Sequence, residues 1–134
     1  MKTPSQSPTQ ERVAIRTSDV WKSYDRGAIP VLNGVDFEMR AGETVALCGA
    51  SGCGKSTLLH LVGGLDEPDR GQVWVHGEEL TQRRDVVRFL RHEVGFIFQF
   101  HNLIADLTVE ENCLLPATAA GTNRTQATER LHRL

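Results

Sequence analysis

The run Gly49-Ala50-Ser51-Gly52-Cys53-Gly54-Lys55-Ser56 constrains this chain more than any other segment. Its spacing is G-x-x-x-x-G-K-S, and it stands between an apolar run, residues 44–48, and a stretch, residues 56–62, with apolar residues at helical intervals. Glycines at 49, 52 and 54 let the backbone wrap with its amides inward, using dihedrals and close approaches that a Cβ would obstruct. A helix opening at the lysine adds unpaired amides and the positive end of its dipole to the same point. Such a corner suits a nucleotide: Lys55 is placed to reach the β- and γ-phosphates, Ser56 to offer a hydroxyl to Mg2+, and Thr57 to donate to the α-phosphate. The bland alternative is an ordinary strand-turn-helix corner, yet a chance match to the whole motif in such a chain is below about one in a hundred.

Around this loop the pattern is α/β. Residues 13–20 are strand-like, and Val35, Phe37 and Met39 alternate with Asp36 and Glu38, the period of a half-buried strand. After a turn at Ala41-Gly42, residues 44–48 are apolar on both faces, which predicts a central strand covered on two sides. A helix over residues 56–62 stops at Gly63-Gly64, residues 66–71 form a turn cluster, and a strand follows over residues 72–76. Residues 82–92 read as a short amphipathic helix and residues 94–98 as a second buried strand. Beyond an irregular stretch to Leu107 come a helical turn at residues 109–114 and a helix from Thr125 onward, with Leu131 and Leu134 at helical spacing and no stop signal. Residues 1–12 are polar, carry Pro4 and Pro8, and read as a disordered leader, so the folded portion is expected over residues 13–134.

Length and charge narrow the function. A chain of 134 residues sets a prior of one domain. Fifteen Lys and Arg against seventeen Asp and Glu give a net charge of -2, so nucleic acid is not an expected partner. The longest apolar run is far short of the roughly 18 residues that span a bilayer, and Cys48, Cys53 and Cys113 show no metal or disulfide spacing, so a cytosolic setting is expected.

The residues flanking the loop resemble one family, the nucleotide-binding subunits of ABC transporters. Trp21-Lys22-Ser23-Tyr24 looks like the aromatic loop of these ATPases, which implies that Tyr24 stacks on adenine. Leu32-Asn33-Gly34-Val35-Asp36-Phe37, the phosphate loop, and Gly63-Gly64-Leu65-Asp66-Glu67-Pro68-Asp69-Arg70-Gly71 resemble family segments in the family's order. Val94-Gly95-Phe96-Ile97-Phe98-Gln99 looks like the strand and glutamine of the Q-loop, which would place Gln99 near Mg2+ and the attacking water, on a loop that meets a membrane partner. Phe100-His101-Asn102-Leu103 and Leu107-Thr108-Val109-Glu110-Glu111-Asn112 are similar to the lipoprotein-release and macrolide-export branch. The resemblance implies a P-loop NTPase of the ABC type: an antiparallel β subdomain, part of a parallel core sheet and the start of a helical subdomain. It also implies MgATP as cofactor, a homodimer in the full-length form, a membrane permease bound through the Q-loop and helical subdomain, and a place on the cytoplasmic face of the inner membrane.

Several family motifs are not found in these residues. Hydrolysis in the family needs an acidic strand end with a catalytic glutamate, a signature supplied by the opposite subunit, and a switch histidine. Leu103-Ile104-Ala105-Asp106 is a poor match to the first, and Val62-Gly63-Gly64-Leu65 lacks the serine and glutamine of the second. The resemblance therefore covers a partial domain, expected to grip phosphates through Gly49, Ala50, Ser51, Gly52, Cys53, Gly54, Lys55, Ser56 and Thr57 but to hydrolyse poorly alone. A non-functional remnant, or one that only binds nucleotide or permease, is the alternative, and an unrelated P-loop kinase or GTPase the third, disfavoured by Tyr24, the segment of residues 32–37 and the Q-loop.

Other features have bland readings beside sharp ones. Cys53 lies before the helix amides, where a thiol gains reactivity, yet reads more simply as a small tolerated side chain. Arg83, Arg84, Arg88 and Arg91 read as a solvated helix face, and Asn123-Arg124-Thr125 as a glycosylation pattern without use in the cytosol. Phe100, Leu103 and Leu107 suit either permease docking or a local core.

Overall fold

A computed structural model describes residues 12–100 and 102–133. Nearly all of the expected leader, His101 and the Leu134 end of the last helix lie outside the described residues, whereas Arg12 is tied in by its carbonyl, which accepts from the Ala41 amide at 2.8 Å. The described chain divides into two compact units that meet in sequence between Arg84 and Asp85.

The first unit is built on a hairpin. Strands β1 (Val13–Tyr24) and β2 (Ile29–Arg40) run antiparallel from the Tyr24–Ile29 pair to the Val13–Arg40 pair. Val35, Phe37 and Met39 are less exposed than Asp36 and Glu38, as the alternation predicts. Strand β3 (Arg70–Val75) pairs antiparallel with the other edge of β1, and the left-handed pair His76-Gly77 turns the chain into the short β4 (Glu78–Glu79). Sheet order is β2-β1-β3-β4.

Asp19 interrupts β1 with φ +46°. Register shifts flank it on both sides, between Thr17 and Val20 against β2 and between Ser18 and Trp21 against β3. Thr17 and Val20 are an odd number of residues apart and would face opposite ways in a regular strand; the bulge lets both be buried. Helix α1 (Lys55–Val62) lies against the sheet, with Leu58 and Leu61 buried alongside Val20, Leu32, Val73 and Val75 in the core of this unit. It ends as predicted: Gly64, at φ +72°, closes it with Gly64 N–H to Leu61 O and Leu65 N–H to His60 O.

Two expectations are corrected. Residues 44–48 and 94–98 carry no strand ladder, and Val45 is 43% and Ile97 103% exposed. An apolar run becomes a strand only when a neighbour takes its amides and carbonyls and layers cover both faces. The strands of the first unit pair with one another, and none of them pairs with either segment.

The second unit is helical. Helix α2 (Val86–His92) starts later than residue 82 because the Asp85 carboxylate accepts from the Arg88 amide, while Leu80–Gln82 forms a separate 3-10 turn. Arg83 accordingly leaves the basic helix face: its side chain is nearly buried, 3.2 Å from Glu78. Helix α3 (Val109–Ala119) outruns the predicted single turn and passes through Pro116. Helix α4 (Arg124–Leu131) is capped by Asn123, whose side chain accepts from the Thr125 and Gln126 amides, so this asparagine has a structural use.

Candidate functional site

The loop of residues 49–54 owes its shape to its glycines. Gly49, Gly52 and Gly54 have φ of +155°, +77° and +93°. A Cβ on Gly54 would stand 2.7 Å from Leu32 Cδ2 and 3.0 Å from the Val31 carbonyl oxygen, so the loop rests directly on β2. A turn inside the loop is closed by the Cys53 amide donating to the Ala50 carbonyl at 3.4 Å.

Helix α1 then opens without any of the usual protection. Gly54 provides no side-chain cap, and the first turn holds no acidic residue. The first ladder bond runs from the Leu58 amide to the Gly54 carbonyl at 2.9 Å, which leaves the amides of Lys55, Ser56 and Thr57 ahead of it as the orphan donors of the helix start. Helix α3 is the internal contrast. There the Thr108 hydroxyl takes the Glu111 amide, the Glu111 carboxylate takes the Thr108 amide, and Glu110 and Glu111 load the first turn with negative charge. One helix start is satisfied from within; the other suits an external anion.

Lys55 reaches back over this loop. Its ammonium donates to the Gly49 carbonyl at 2.9 Å and the Ala50 carbonyl at 2.6 Å, and lies 3.5 Å from Cys53 Sγ. Ser51, Gly52, Cys53 and Ser56 are exposed and Thr57 is buried.

Tyr24 stands at the turn end of the β1–β2 hairpin, opposite Ile29 and two residues along β1 from Lys22, the partner of Leu32 in the ladder. Its hydroxyl donates to Asp66 Oδ2 at 3.0 Å, and the Lys22 ammonium lies 5.4 Å from its ring centroid. Lys22 also donates to Asp66 Oδ1 at 2.7 Å and to the Glu67 carbonyl at 2.6 Å. Asp69 takes both the amide and the hydroxyl of Ser23 at 2.6 Å. Burial works against the charge of Lys22, but the Asp66 hydrogen bond and the nearby Asp66, Asp69 and Tyr24 groups outweigh it and raise its pKa. Burial likewise pushes the Asp66 carboxyl up, and hydrogen bonds from Lys22, the Glu67 amide and Tyr24, with the Lys22 charge, bring it below its ordinary value.

Lys22, Ser23, Asp66 and Asp69 were not among the predicted site residues. Opposite charges more than forty positions apart leave no periodic trace, and only the register of β1 against the turn after α1 joins them. Gln99 belongs to the second unit, exposed in a bend just after Phe98, whose ring stacks on Phe96 at 5.5 Å. Phe100 is 74% exposed and Leu103 is exposed as well, so neither forms a local core.

The family model described as ABC transporter matches residues 32–134. The chain belongs to the ABC transporter family. Among curated proteins, this ABC transporter chain is 45% identical over 118 residues to the lipoprotein-releasing system ATP-binding protein LolD of Cytophaga hutchinsonii, covering 87% of the chain and 53% of that protein. It is 48% identical over 118 residues to LolD of Roseobacter denitrificans, covering 83% of the chain and 51% of that protein. Among solved structures it resembles the ATP-binding cassette MJ0796 in a dimeric post-hydrolysis state bound to ADP and Pi, with a TM-score of 0.78 and 32% identity over 87% of the chain and 53% of that chain. The chain thus spans about half the length of the relatives it matches. Among the described residues no helix is long and apolar enough to cross a membrane.

Proposed function

We propose that this chain binds MgATP through the loop of residues 49–57 and serves as an ATP-binding part of a transporter concerned with lipoprotein release. The observation that carries the reading is the start of α1: an uncapped, acid-free helix N-terminus behind a loop of left-handed glycines, with Lys55 folded over it. In this reading the amides of Gly49, Ala50, Ser51, Gly52, Cys53 and Gly54 line the polyphosphate, Lys55 holds the β- and γ-phosphates, and Thr57 donates to the α-phosphate. Tyr24 offers its ring to adenine. Ser56 presents an exposed hydroxyl oxygen in the first turn of α1, a donor that suits a hard divalent cation. Bound Mg2+ supplies charge neutralisation for the phosphates.

Residues 13–134 form, on this proposal, part of a nucleotide-binding domain. Resemblance to LolD supports a permease partner, met through the segment around Gln99 and the helical unit, at the cytoplasmic face of the inner membrane. The dimeric MJ0796 structures support a homodimer for the full-length form. ATP hydrolysis is proposed for that form, and binding with negligible turnover for this chain alone.

A calorimetric titration of MgATP into the chain, with Lys55→Ala run beside it, tests the site. Binding abolished in the variant is the expected result; equal affinity in both proteins would refute the assignment. Steady-state turnover that disappears with Lys55→Ala would refute the proposal that the chain alone only binds.

A further inference from the structure

The Lys22–Asp66 pair has a geometry that packing alone does not call for. Asp66 uses both carboxylate oxygens, Oδ1 for the Lys22 ammonium at 2.7 Å and Oδ2 for the Tyr24 hydroxyl at 3.0 Å. Lys22 in turn stands over the Tyr24 ring, 5.4 Å from its centroid. One edge of the tyrosine is tethered and one face lies toward a cation, yet the residue remains 39% exposed. A phenol ring has two rotatable bonds, and a tether at its far end together with a cation on one face restrains both.

The tether itself is anchored. Asp66 follows the closing turn of α1, where Leu65 N–H reaches His60 O at 2.9 Å. The same turn is fastened to β1 by the Asp69 amide on the Trp21 carbonyl at 2.9 Å and by the Asp69 carboxylate on Ser23. A continuous set of hydrogen bonds therefore runs from the helix that begins at the phosphate loop to the tyrosine at the end of the hairpin.

We infer that Asp66, with Lys22, is a positioning residue for the base of the nucleotide: it fixes the Tyr24 ring in one orientation relative to α1, leaving the ring face turned from Lys22 to receive a flat aromatic base. This rests on the reading of Tyr24 as the base platform. Asp66 does not touch the ligand; it removes freedom the ring would otherwise lose on binding. It acts on the base and not on the phosphates, and that difference makes it separable from Lys55.

The experiment compares MgATP with magnesium tripolyphosphate, which carries the same phosphate chemistry without a base, on the parent chain, Asp66→Ala, Tyr24→Phe, the double variant and Lys55→Ala. Expected is a loss of about three- to tenfold in ATP affinity for Asp66→Ala and for Tyr24→Phe. The double variant should lose no more than the larger single one, and tripolyphosphate affinity should stay unchanged in all three. Retained tripolyphosphate binding also shows that the variants are folded. Additive losses, or tripolyphosphate affinity falling in step with ATP, would overturn the inference and leave Asp66 a fold residue. Should Asp66→Ala bind ATP like the parent while Lys55→Ala does not, the positioning role falls and the phosphate site stands. Should the parent bind neither ligand, or Lys55→Ala bind both, the reading of the site falls and takes this inference with it.

Discussion

Replacing Gly71 by alanine should cost the first unit far more than its position at the start of β3 suggests. Gly71 has φ +86°, and a Cβ there would overlap the Asp19 carbonyl oxygen and stand 2.6 Å from that of Ser18. Carbon atoms in contact sit at about 3.5–4.0 Å, so the backbone of β1 would have to move. It is poorly free to do so. The bulge at Asp19 is held by its amide on Asp36 Oδ1 at 2.9 Å, and its side chain by Trp21 Nε1 at 2.6 Å and Arg70 at 2.8 Å. The left-handed backbone costs about 1–2 kcal/mol with a Cβ present, and forced overpacking about 1–3 kcal/mol more, for a total of about 2–5 kcal/mol. Gly42→Ala supplies the control: its φ is +85° and a Cβ there meets nothing within 4 Å, so only the first cost of about 1–2 kcal/mol applies. Both tryptophans, Trp21 and Trp74, lie in β1 and β3, so their fluorescence in a urea titration follows this unit alone. Midpoints giving Gly71→Ala and Gly42→Ala equal stabilities to within about 0.5 kcal/mol would refute the argument from close approach.

Two further outcomes follow from the side-chain chemistry. Thr108→Ala breaks the capping box of α3 and should cost about 1 kcal/mol of helical stability in the second unit, with Thr108→Ser retaining most of it; far-UV circular dichroism melts that do not separate the two variants would contradict this. The Lys22–Asp66 pair should stabilise the first unit between two pH limits. Because the folded pKa of Asp66 lies below its ordinary 3.8, its contribution is present above that value and is lost as pH falls through the folded pKa; because that of Lys22 lies above 10.5, its contribution is present below that value and is lost as pH rises through the folded pKa. Replacing both residues, as in the Lys22→Met, Asp66→Leu protein, should flatten the tryptophan-detected stability profile at both ends, and an unaltered profile would show that the pair contributes nothing.

What could be read in the residues was local chemistry. The alternation at Val35, Phe37 and Met39, the helix behind the phosphate loop and its glycine stop need only neighbours in sequence, and these elements formed where expected. Residues 44–48 and 94–98 have the composition of buried strands, but a ladder partner is a property of the rest of the fold and not of the segment. Pro116 argues for an early end to α3, yet it removes only one ladder bond, and the helix closes further on with Gly121 at φ +73° and the Thr122 amide on the Ala117 carbonyl. At the candidate site, the glycine loop and the helix opening at Lys55 were legible from spacing, while the roles of Lys55, Ser56 and Tyr24 toward a nucleotide stand as proposals. The Asp66 tether was not, because its meaning depends on a hydroxyl and an ammonium that β1 brings from more than forty residues earlier in the chain.

The lysine over the phosphate loop bears on how fast the site can respond. Two of its three N–H groups are already engaged by the Gly49 and Ala50 carbonyls, and the third has Cys53 Sγ nearby. On the proposed function, an arriving phosphate oxygen would trade places with one of these carbonyls, an exchange of hydrogen-bond partners at the lysine head. Such side-chain swaps take picoseconds to nanoseconds at a partly exposed position, far shorter than the interval between diffusive encounters. On that proposal the loop is latched without being locked, and the association rate would be set by diffusion and by the field at the head of α1.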